Sequence, residues 1–472
     1  MNTDVLAGTR LESWHAYALV FSPVLGYLAA VALGAEFAFI HVLLGTGIFV
    51  LGLVNFELSF LIIPLALTNP YPIIEEGFNL TFSEFALLII FLVWCLRILT
   101  GEYPTEFPRR FLYPAAFIVG ASILSLAAAR FLVPAALQVI RYVEILLFLF
   151  VLVVDRCRTP ETIYKVCMSL WVGGLIACAI GLFEFATGLT EENEAGRIFL
   201  WHGGGYGALV ATTLWMSFCF VLLSRRTRPR LVALFAIPLA SVVLILSQTR
   251  TWIAAFVLVA FLTFILLRKK GLMKLVTVFG LALTLLVVLV QTNFFGIVDE
   301  EVVDIVLAKA FRFGVRGGEY SFIDLSLLIR FNVWFHGIKY FLSSPLTGVG
   351  VGNLRFDDYF TGHLAAPSEY SGYVDNQYIQ GFAEMGIIGG VAWIVYVLRG
   401  IKTGRSAAMT TKNELLYPIT VGLFGSVLIL AVGSIFWVIT PHHELFGILV
   451  LAFGLLFNIS RMQINEGSTP RR

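Results

Sequence analysis

Residues 231–267 read LVALFAIPLASVVLILSQTRTWIAAFVLVAFLTFILL, two long apolar runs joined by a short turn that contains Arg250. Each run approaches the ~20 residues that an α-helix needs to cross a bilayer. Neither alternates apolar with polar residues, as the strands of a membrane barrel would. Since only helices and closed barrels satisfy their backbone in lipid, the stretch predicts a pair of membrane-spanning helices.

The composition extends this expectation to the whole chain. Of 472 residues, 59% are hydrophobic and only 13% are charged, so a soluble protein would expose too much apolar surface. We predict an all-α integral membrane protein with about 12–14 transmembrane helices, in a single polytopic domain over residues 1–472. The stretch 36–69 fits two short helices or one broken helix. The predicted helices are 14–34, 36–54, 56–69, 83–99, 111–129, 132–154, 162–187, 205–224, 231–247, 252–267, 272–291, 377–398, 415–438 and 444–460.

The distribution of basic residues predicts the orientation of these helices. With the helices above, the basic clusters all fall on one side of the membrane, which the positive-inside rule identifies as the cytoplasm. Both termini are expected on that side. The clusters are Arg97/Arg109/Arg110, Arg156/Arg158/Lys165, Arg225/Arg226/Arg228/Arg230, Arg268/Lys269/Lys270/Lys274, Arg399/Lys402/Arg405/Lys412 and Arg461/Arg471/Arg472.

Several classes of function are excluded by the same survey. The five cysteines lie in or beside apolar runs, and no pair has the spacing of a metal site or of a secreted disulfide framework. The basic residues are scattered among loops, which gives no indication of a nucleic-acid partner. We expect neither a cofactor nor a metal site.

One external loop, residues 292–376, is far longer than the others, and a loop of this length between helices is usually functional. Within it, Leu325–Ser343 (LSLLIRFNVWFHGIKYFLS) reads as an amphipathic helix. Arg330, Trp334 and Ile338 follow at four-residue steps and are expected to share one face.

The sequence PLTGVGVGN follows this helix at residues 345–353. Gly348, Gly350 and Gly352 allow backbone conformations that other residues avoid. We expect a tight turn that approaches another segment closely.

Three arginines, Arg197, Arg250 and Arg330, fall on the side of the membrane opposite to the basic clusters. A charge near the membrane is costly, so its retention indicates an anionic ligand. A guanidinium group meets phosphate oxygens in a bidentate fork, and a lipid-borne phosphate would reach all three from one side. An arginine that faces headgroups is the alternative for Arg250 and Arg330, and for Arg197 the glycine-rich helix entry is also explained by packing. Backbone amides of the glycines that follow Arg197 are a further candidate for anion binding.

The stretch DNQYIQGFAE opens the helix after the long loop. Asp375 is a candidate N-cap, while Asn376, Gln380 and Glu384 follow at four-residue steps and predict a polar face inside the bundle. An acid buried in a membrane bundle indicates function by default, and a polar contact between helices is the alternative. Upstream, His363 and Glu369 are each a candidate general base or a solvated loop residue.

Three motifs together resemble the O-antigen ligase/polymerase superfamily, the WaaL and Wzy group. They are LSQTRTW, LLIRFNVWFHGIKYFLSSPLTGVGVGN and DNQYIQGFAEMGIIGG, and the similarity spans roughly residues 190–400. The resemblance implies a GT-C-like, metal-independent glycosyltransferase that uses undecaprenyl-pyrophosphate-linked oligosaccharide at the outer face of the bacterial inner membrane. Arg250 and Arg330 would match the arginines of the family motifs, and Arg197 a looser one. Membrane lipid, a chain-length regulator and a flippase are the other partners implied.

The chain departs from the ligases of this group at one position. The ligases resemble HNxxLQ at the start of the last motif, whereas this chain has DNQYIQ with Asp375 in place of the histidine. Polymerases often show the acidic form, so the resemblance favours a polymerase over a ligase that transfers glycan to lipid A core. Asp375 would then deprotonate or orient the acceptor hydroxyl, with His363 as the rival base. A transporter of lipid-linked oligosaccharide is the alternative of another class, and it predicts an internal repeat that the chain does not show.

Overall fold

The computed structural model describes residues 38–68, 72–74, 80–101, 109–187, 191–192, 198–199, 205–247, 249–267, 315–316, 319–320, 325–354, 374–440 and 442–468. Over these residues the fold is helical, apart from three antiparallel pairs of very short strands. Nine helices in the described ranges are long and apolar enough to cross a membrane, and three shorter apolar helices accompany them. The predicted all-α integral membrane fold is confirmed.

The helices and strands are numbered in chain order. The helices are α1 (Ala38–Val54), α2 (Phe56–Phe60), α3 (Ile62–Ala66), α4 (Phe82–Leu99), α5 (Arg109–Ser125), α6 (Leu132–Val143), α7 (Phe150–Arg156), α8 (Pro160–Thr187), α9 (Gly205–Leu223), α10 (Thr227–Leu246), α11 (Arg250–Leu267), α12 (Leu325–Ser343), α13 (Gln377–Thr410), α14 (Tyr417–Gly433) and α15 (His443–Ser468). A π-helical turn, Glu144–Leu149, joins α6 to α7, and a 3-10 turn, Leu126–Ala128, follows α5. The strands are β1 (Pro72–Ile74), β2 (Leu80–Thr81), β3 (Glu191–Glu192), β4 (Ile198–Phe199), β5 (Val315–Arg316) and β6 (Glu319–Tyr320).

The ambiguous stretch 36–69 contains one helix followed by a broken one. Asn55 interrupts the chain after α1 and caps α2, its Oδ1 accepting a hydrogen bond from the Leu58 amide at 3.2 Å. A second break at Leu61 separates α2 from α3. Two of the predicted helices, 14–34 and 272–291, lie outside the described residues.

The centre of the bundle is α9, most of whose length is buried. Its tryptophan, Trp215, donates its indole N–H to the Val421 carbonyl of α14 at 3.2 Å, and Ser217 accepts the indole N–H of Trp171 from α8 at 2.9 Å. These bonds satisfy polar groups that lipid-like surroundings would leave costly. They also fix α8 and α14 against the central helix.

The two ends of the bundle are named here by residues that they hold. At one end, which we call the basic end, the Arg97 and Arg156 guanidinium groups both lie over the Phe56 ring, and Arg225 pairs with Glu414. The opposite end holds the start of α13 and is called the Asp375 end. Arg97 lies in the last turn of α4, Arg156 is the last residue of α7, and Arg225 lies between α9 and α10.

A kink in α13 receives the glycine turn that follows α12. Gly386 has φ 68°, so α13 bends there, and the carbonyls of Ala383 and Glu384 accept instead from the amides of Val349 and Gly350, at 2.9 and 3.2 Å. Gly348, Gly350 and Gly352 all have positive φ, as the sequence predicts. A Cβ at Gly348 would lie 2.2 Å from the Glu384 backbone carbon, so only glycine fits. The turn is therefore part of the helix bundle.

Candidate functional site at the Asp375 end

The amphipathic helix α12 has the bounds that the sequence predicts, and one face of it packs on the start of α13. Val333 and Gly337 are buried on this face, and a Cβ at Gly337 would lie 2.7 Å from Val374. Arg330 and Trp334 are half-buried beside them. The expectation that Ile338 shares the face is wrong, because its side chain is 44% exposed. Each step of four residues rotates about 40° around a helix. Two such steps separate Ile338 from Arg330, so Ile338 no longer lies on the packed face.

Arg330 reaches two other segments from this helix. Its Nη1 donates to the Thr251 hydroxyl at 3.2 Å, and its Nε lies 3.9 Å from the Asp375 Oδ2. Thr251 directly follows Arg250 in the chain. The Arg330 guanidinium group therefore links the sequence motifs of Arg250 and Arg330 to the Asp375 carboxyl group. The Arg330–Asp375 distance is that of an ion pair and exceeds hydrogen-bond length, so Asp375 does not occupy the guanidinium fork.

Asp375 has an unusual backbone conformation, with φ 51°, that orients its carboxyl group. The expected N-cap role is wrong: Asn376 caps α13, its Oδ1 accepting from the Tyr378 and Ile379 amides at 3.0 Å each. Asp375 is thus released from capping and directed at Arg330. A non-glycine residue at positive φ is uncommon and occurs often at functional sites.

Burial sets the acidity of Asp375. Loss of solvent raises the pKa of its carboxyl group to about 6, although the nearby Arg330 guanidinium lowers it. The indole N–H of Trp334 donates to the Asp375 carbonyl at 3.3 Å and fixes the residue from the other side. A carboxylate whose pKa lies near neutrality accepts a proton more readily than an ordinary aspartate.

The polar face predicted on α13 is buried, as expected. Gln380 donates its amide N–H to the Glu384 Oε1 at 3.1 Å, and both side chains are 2% exposed. The Gln380 Oε1 accepts from the Val374 amide at 3.4 Å, which holds the segment before Asp375. These contacts support a positioning role, in which Glu384 and Gln380 stabilise the start of α13 from behind.

Gln377, which the sequence pattern does not single out, connects this site to the segment between α14 and α15. Its Oε1 accepts from the amides of Ile439 and Thr440 at 3.0 Å each. In the same segment, Phe436 packs on Trp334 with ring centroids 5.6 Å apart. The partners lie more than sixty residues further on, so no local signal identifies Gln377.

Arg250 is the first residue of α11 and is exposed at the Asp375 end. The buried Trp252 anchors this end of the helix, because a Cβ at Gly433 would lie 2.0 Å from its ring. The positive end of the helix dipole adds to the Arg250 charge. Arg197, His363 and Glu369 lie outside the described residues, so their expected contributions stay predictions.

These features define a class of protein: a multi-pass all-α membrane protein with an arginine beside a buried carboxyl group at one end. Residues 235–394, about a third of the chain, match the family model Wzy_C, described as O-antigen ligase. The match runs from α10 into α13 and includes Arg250, Arg330 and Asp375, but not Arg197. The resemblance to the O-antigen ligase/polymerase superfamily is confirmed, and it supports an O-antigen ligase or polymerase type of function. No curated protein matches the chain.

Proposed function

We propose that the protein is a polysaccharide polymerase that transfers glycan from undecaprenyl pyrophosphate to a lipid-linked repeat unit, as in O-antigen or exopolysaccharide synthesis. The observation that carries the proposal is the meeting of Arg330, Thr251 and Asp375 inside the segment that matches the O-antigen ligase model. Reaction at the periplasmic face of the bacterial inner membrane places the Asp375 end outside and both termini in the cytoplasm.

The arginines bind the diphosphate leaving group in this mechanism. Negative charge develops on the diphosphate as the glycosidic bond breaks, and the guanidinium groups of Arg250 and Arg330 neutralise it in place of a metal ion. Arg197, which lies outside the described residues, is proposed as a third contact of the same group. By analogy with lost oxyanion donors, each arginine contributes about 2–4 kcal/mol of transition-state stabilisation.

Asp375 acts on the acceptor. Its carboxylate takes the proton of the attacking hydroxyl as the new glycosidic bond forms, and a pKa of about 6 suits that role. Trp334 and Asn376 hold its backbone, while Gln380 and Glu384 support the helix start. His363, in the loop 292–376, is the alternative base.

A ligase that transfers glycan to lipid A core or another acceptor would use the same site, and the family description favours it as the second candidate. A deletion strain separates the two functions. Loss of a polymerase leaves single repeat units on the acceptor, whereas loss of a ligase leaves the acceptor bare. Full-length polymer attached to the acceptor in the deletion strain would overturn both, and so would transfer that chelation abolishes while the protein stays folded.

A further inference from the structure

A second group of polar side chains is buried in the bundle, separate from Asp375. It consists of Glu84 from α4, Glu144 at the first position of the π-helical turn and His443 at the first position of α15, which are 3%, 3% and 2% exposed. One oxygen or nitrogen of each lies within 4.8 Å of the others. We call these three residues the Glu–His cluster.

A chain of hydrogen bonds orients the histidine. Arg141 pairs with Glu84 at 2.6 Å, and Glu84 accepts the Thr81 hydroxyl at 3.1 Å. The Thr81 and Ser83 hydroxyls share a hydrogen bond at 2.9 Å, and the Ser83 hydroxyl shares one with His443 Nδ1 at 2.7 Å. Nδ1 is thereby engaged, and Nε2 is the ring nitrogen that faces Glu144.

Glu144 and His443 face each other without a hydrogen bond. The His443 Nε2 and the Glu144 Oε1 have no hydrogen-bond partner although both are buried, and Nε2 lies 3.7 Å from the Glu144 Oε2. This distance exceeds the hydrogen-bond length of about 2.7–3.2 Å. A cation held between the two side chains would satisfy both buried atoms.

Carboxyl groups predominate around the cluster. Glu84 pairs with the Arg141 guanidinium group, and Glu444 adds a further carboxyl group within Coulombic range of His443. A bound cation would offset this excess of carboxyl groups, whereas an uncompensated buried carboxylate is strongly unfavourable.

We propose that Glu144 and His443, together with Glu84, bind one divalent transition-metal ion of the zinc type. Two atoms 3.7 Å apart suit one ion with bonds of about 2.0–2.2 Å, and the Ser83 hydroxyl orients the imidazole as outer-shell groups commonly do. The ion links α4, the π-helical turn and the start of α15. It thereby fixes the segment before α15, which Gln377 binds, and it takes no part in glycan transfer.

Metal analysis of the purified full-length protein tests this proposal. We expect about one zinc ion or similar ion per chain, lost in Glu144→Gln and in His443→Ala and retained in the neighbouring control His442→Ala. Zinc added to chelator-treated protein should raise the midpoint of thermal unfolding in the wild type and the control, but not in the two variants.

The wild-type measurements keep the test decisive even if a variant fails to fold. A metal content far below one per chain, with no effect of added Zn²⁺ or Mn²⁺ on unfolding, would mean that protons neutralise the cluster, and the proposal would be overturned. Equal metal content in the folded His443→Ala variant would overturn it as well. Neither result bears on the arginine site, which is tested by polymer synthesis.

Discussion

The Arg330 Nε lies 3.9 Å from the Asp375 Oδ2, between a helix of the long loop and the residue that precedes α13. The cation is thereby close enough to lower the pKa of the acid, yet its Nη1 donates to the Thr251 hydroxyl and not to the acid. One guanidinium group can thus influence a base and bind a phosphate in the same site.

Substitution of the arginines tests phosphate binding. Arg330→Ala and Arg250→Ala should each lower polymer synthesis at least about a hundredfold, because the developing charge on the diphosphate loses a preorganised partner. Arg330→Lys keeps the charge but loses the planar fork, so an intermediate loss is expected.

Lys339 provides the matched control for Arg330, since it is an exposed cation on the same helix that lies over the Phe335 ring. Lys339→Ala should leave polymer length and amount unchanged on gels of cell-surface glycan. Normal synthesis in membranes that contain inserted Arg330→Ala protein would remove Arg330 from the mechanism.

The dependence of transfer on pH tests Asp375 as the base. A buried carboxyl group with a pKa of about 6 is protonated below that pH and becomes a competent base above it. Transfer by the purified enzyme should therefore rise through an acid limb centred near pH 6, and Asp375→Asn should abolish transfer.

His363→Ala separates the two candidate bases, because an imidazole also titrates in this range. Retention of both the rate and the acid limb in His363→Ala is expected. If this variant loses the limb and Asp375→Asn keeps it, the assignment of the base moves to the loop histidine.

The glycine turn is tested by adding a single methyl group. Gly348→Ala places a Cβ 2.2 Å from the Glu384 backbone at a φ of 69°, so we expect destabilisation by about 1–3 kcal/mol, seen as a lower midpoint of thermal unfolding. Gly120→Ala in α5 is the control, since nothing lies within 4 Å of its Cβ position. Equal midpoints for the two variants would show that the turn tolerates a side chain.

Gln377→Leu removes the acceptor for two buried backbone amides, those of Ile439 and Thr440. Each unsatisfied group costs about 1–3 kcal/mol, so unfolding should occur at a markedly lower temperature. Gln463→Leu, near the opposite end of α15, serves as the control. An unchanged unfolding midpoint for Gln377→Leu would mean that water replaces the lost acceptor.

Much of the fold follows from the sequence because apolar runs of sufficient length have few alternatives in a membrane. The twelve predicted helices that fall on described residues all overlap apolar helices, and the glycine turn and the buried Gln380–Glu384 face are as predicted. Features that depend on the backbone angle of a single residue cannot be predicted from the sequence pattern. Asp375 and Asn376 are equivalent as caps by residue type, and the cap is assigned to Asn376 by the backbone angles of the two residues and by the amides that Asn376 accepts.

The sequence pattern also does not predict contacts between segments that are far apart in the chain. Glu84, Glu144 and His443 lie on three elements far apart in the chain, so their spacing gives no metal-ligand signal. The hydrogen bonds of Gln377 cannot be predicted from the sequence for the same reason. Ile338 illustrates a third cause, since a four-residue repeat approximates the helical period only over a short distance.

The bend at Gly386 has a consequence for biogenesis. Because the Ala383 and Glu384 carbonyls need the Val349 and Gly350 amides as hydrogen-bond donors, the helices in the second half of the protein cannot insert into the bilayer independently of one another. The donors are translated about thirty residues before the carbonyls that require them. The glycine turn is therefore synthesised before the bent helix α13 that it contacts. This order spares the nascent chain a period in which the α13 carbonyls lie in the bilayer without hydrogen-bond donors.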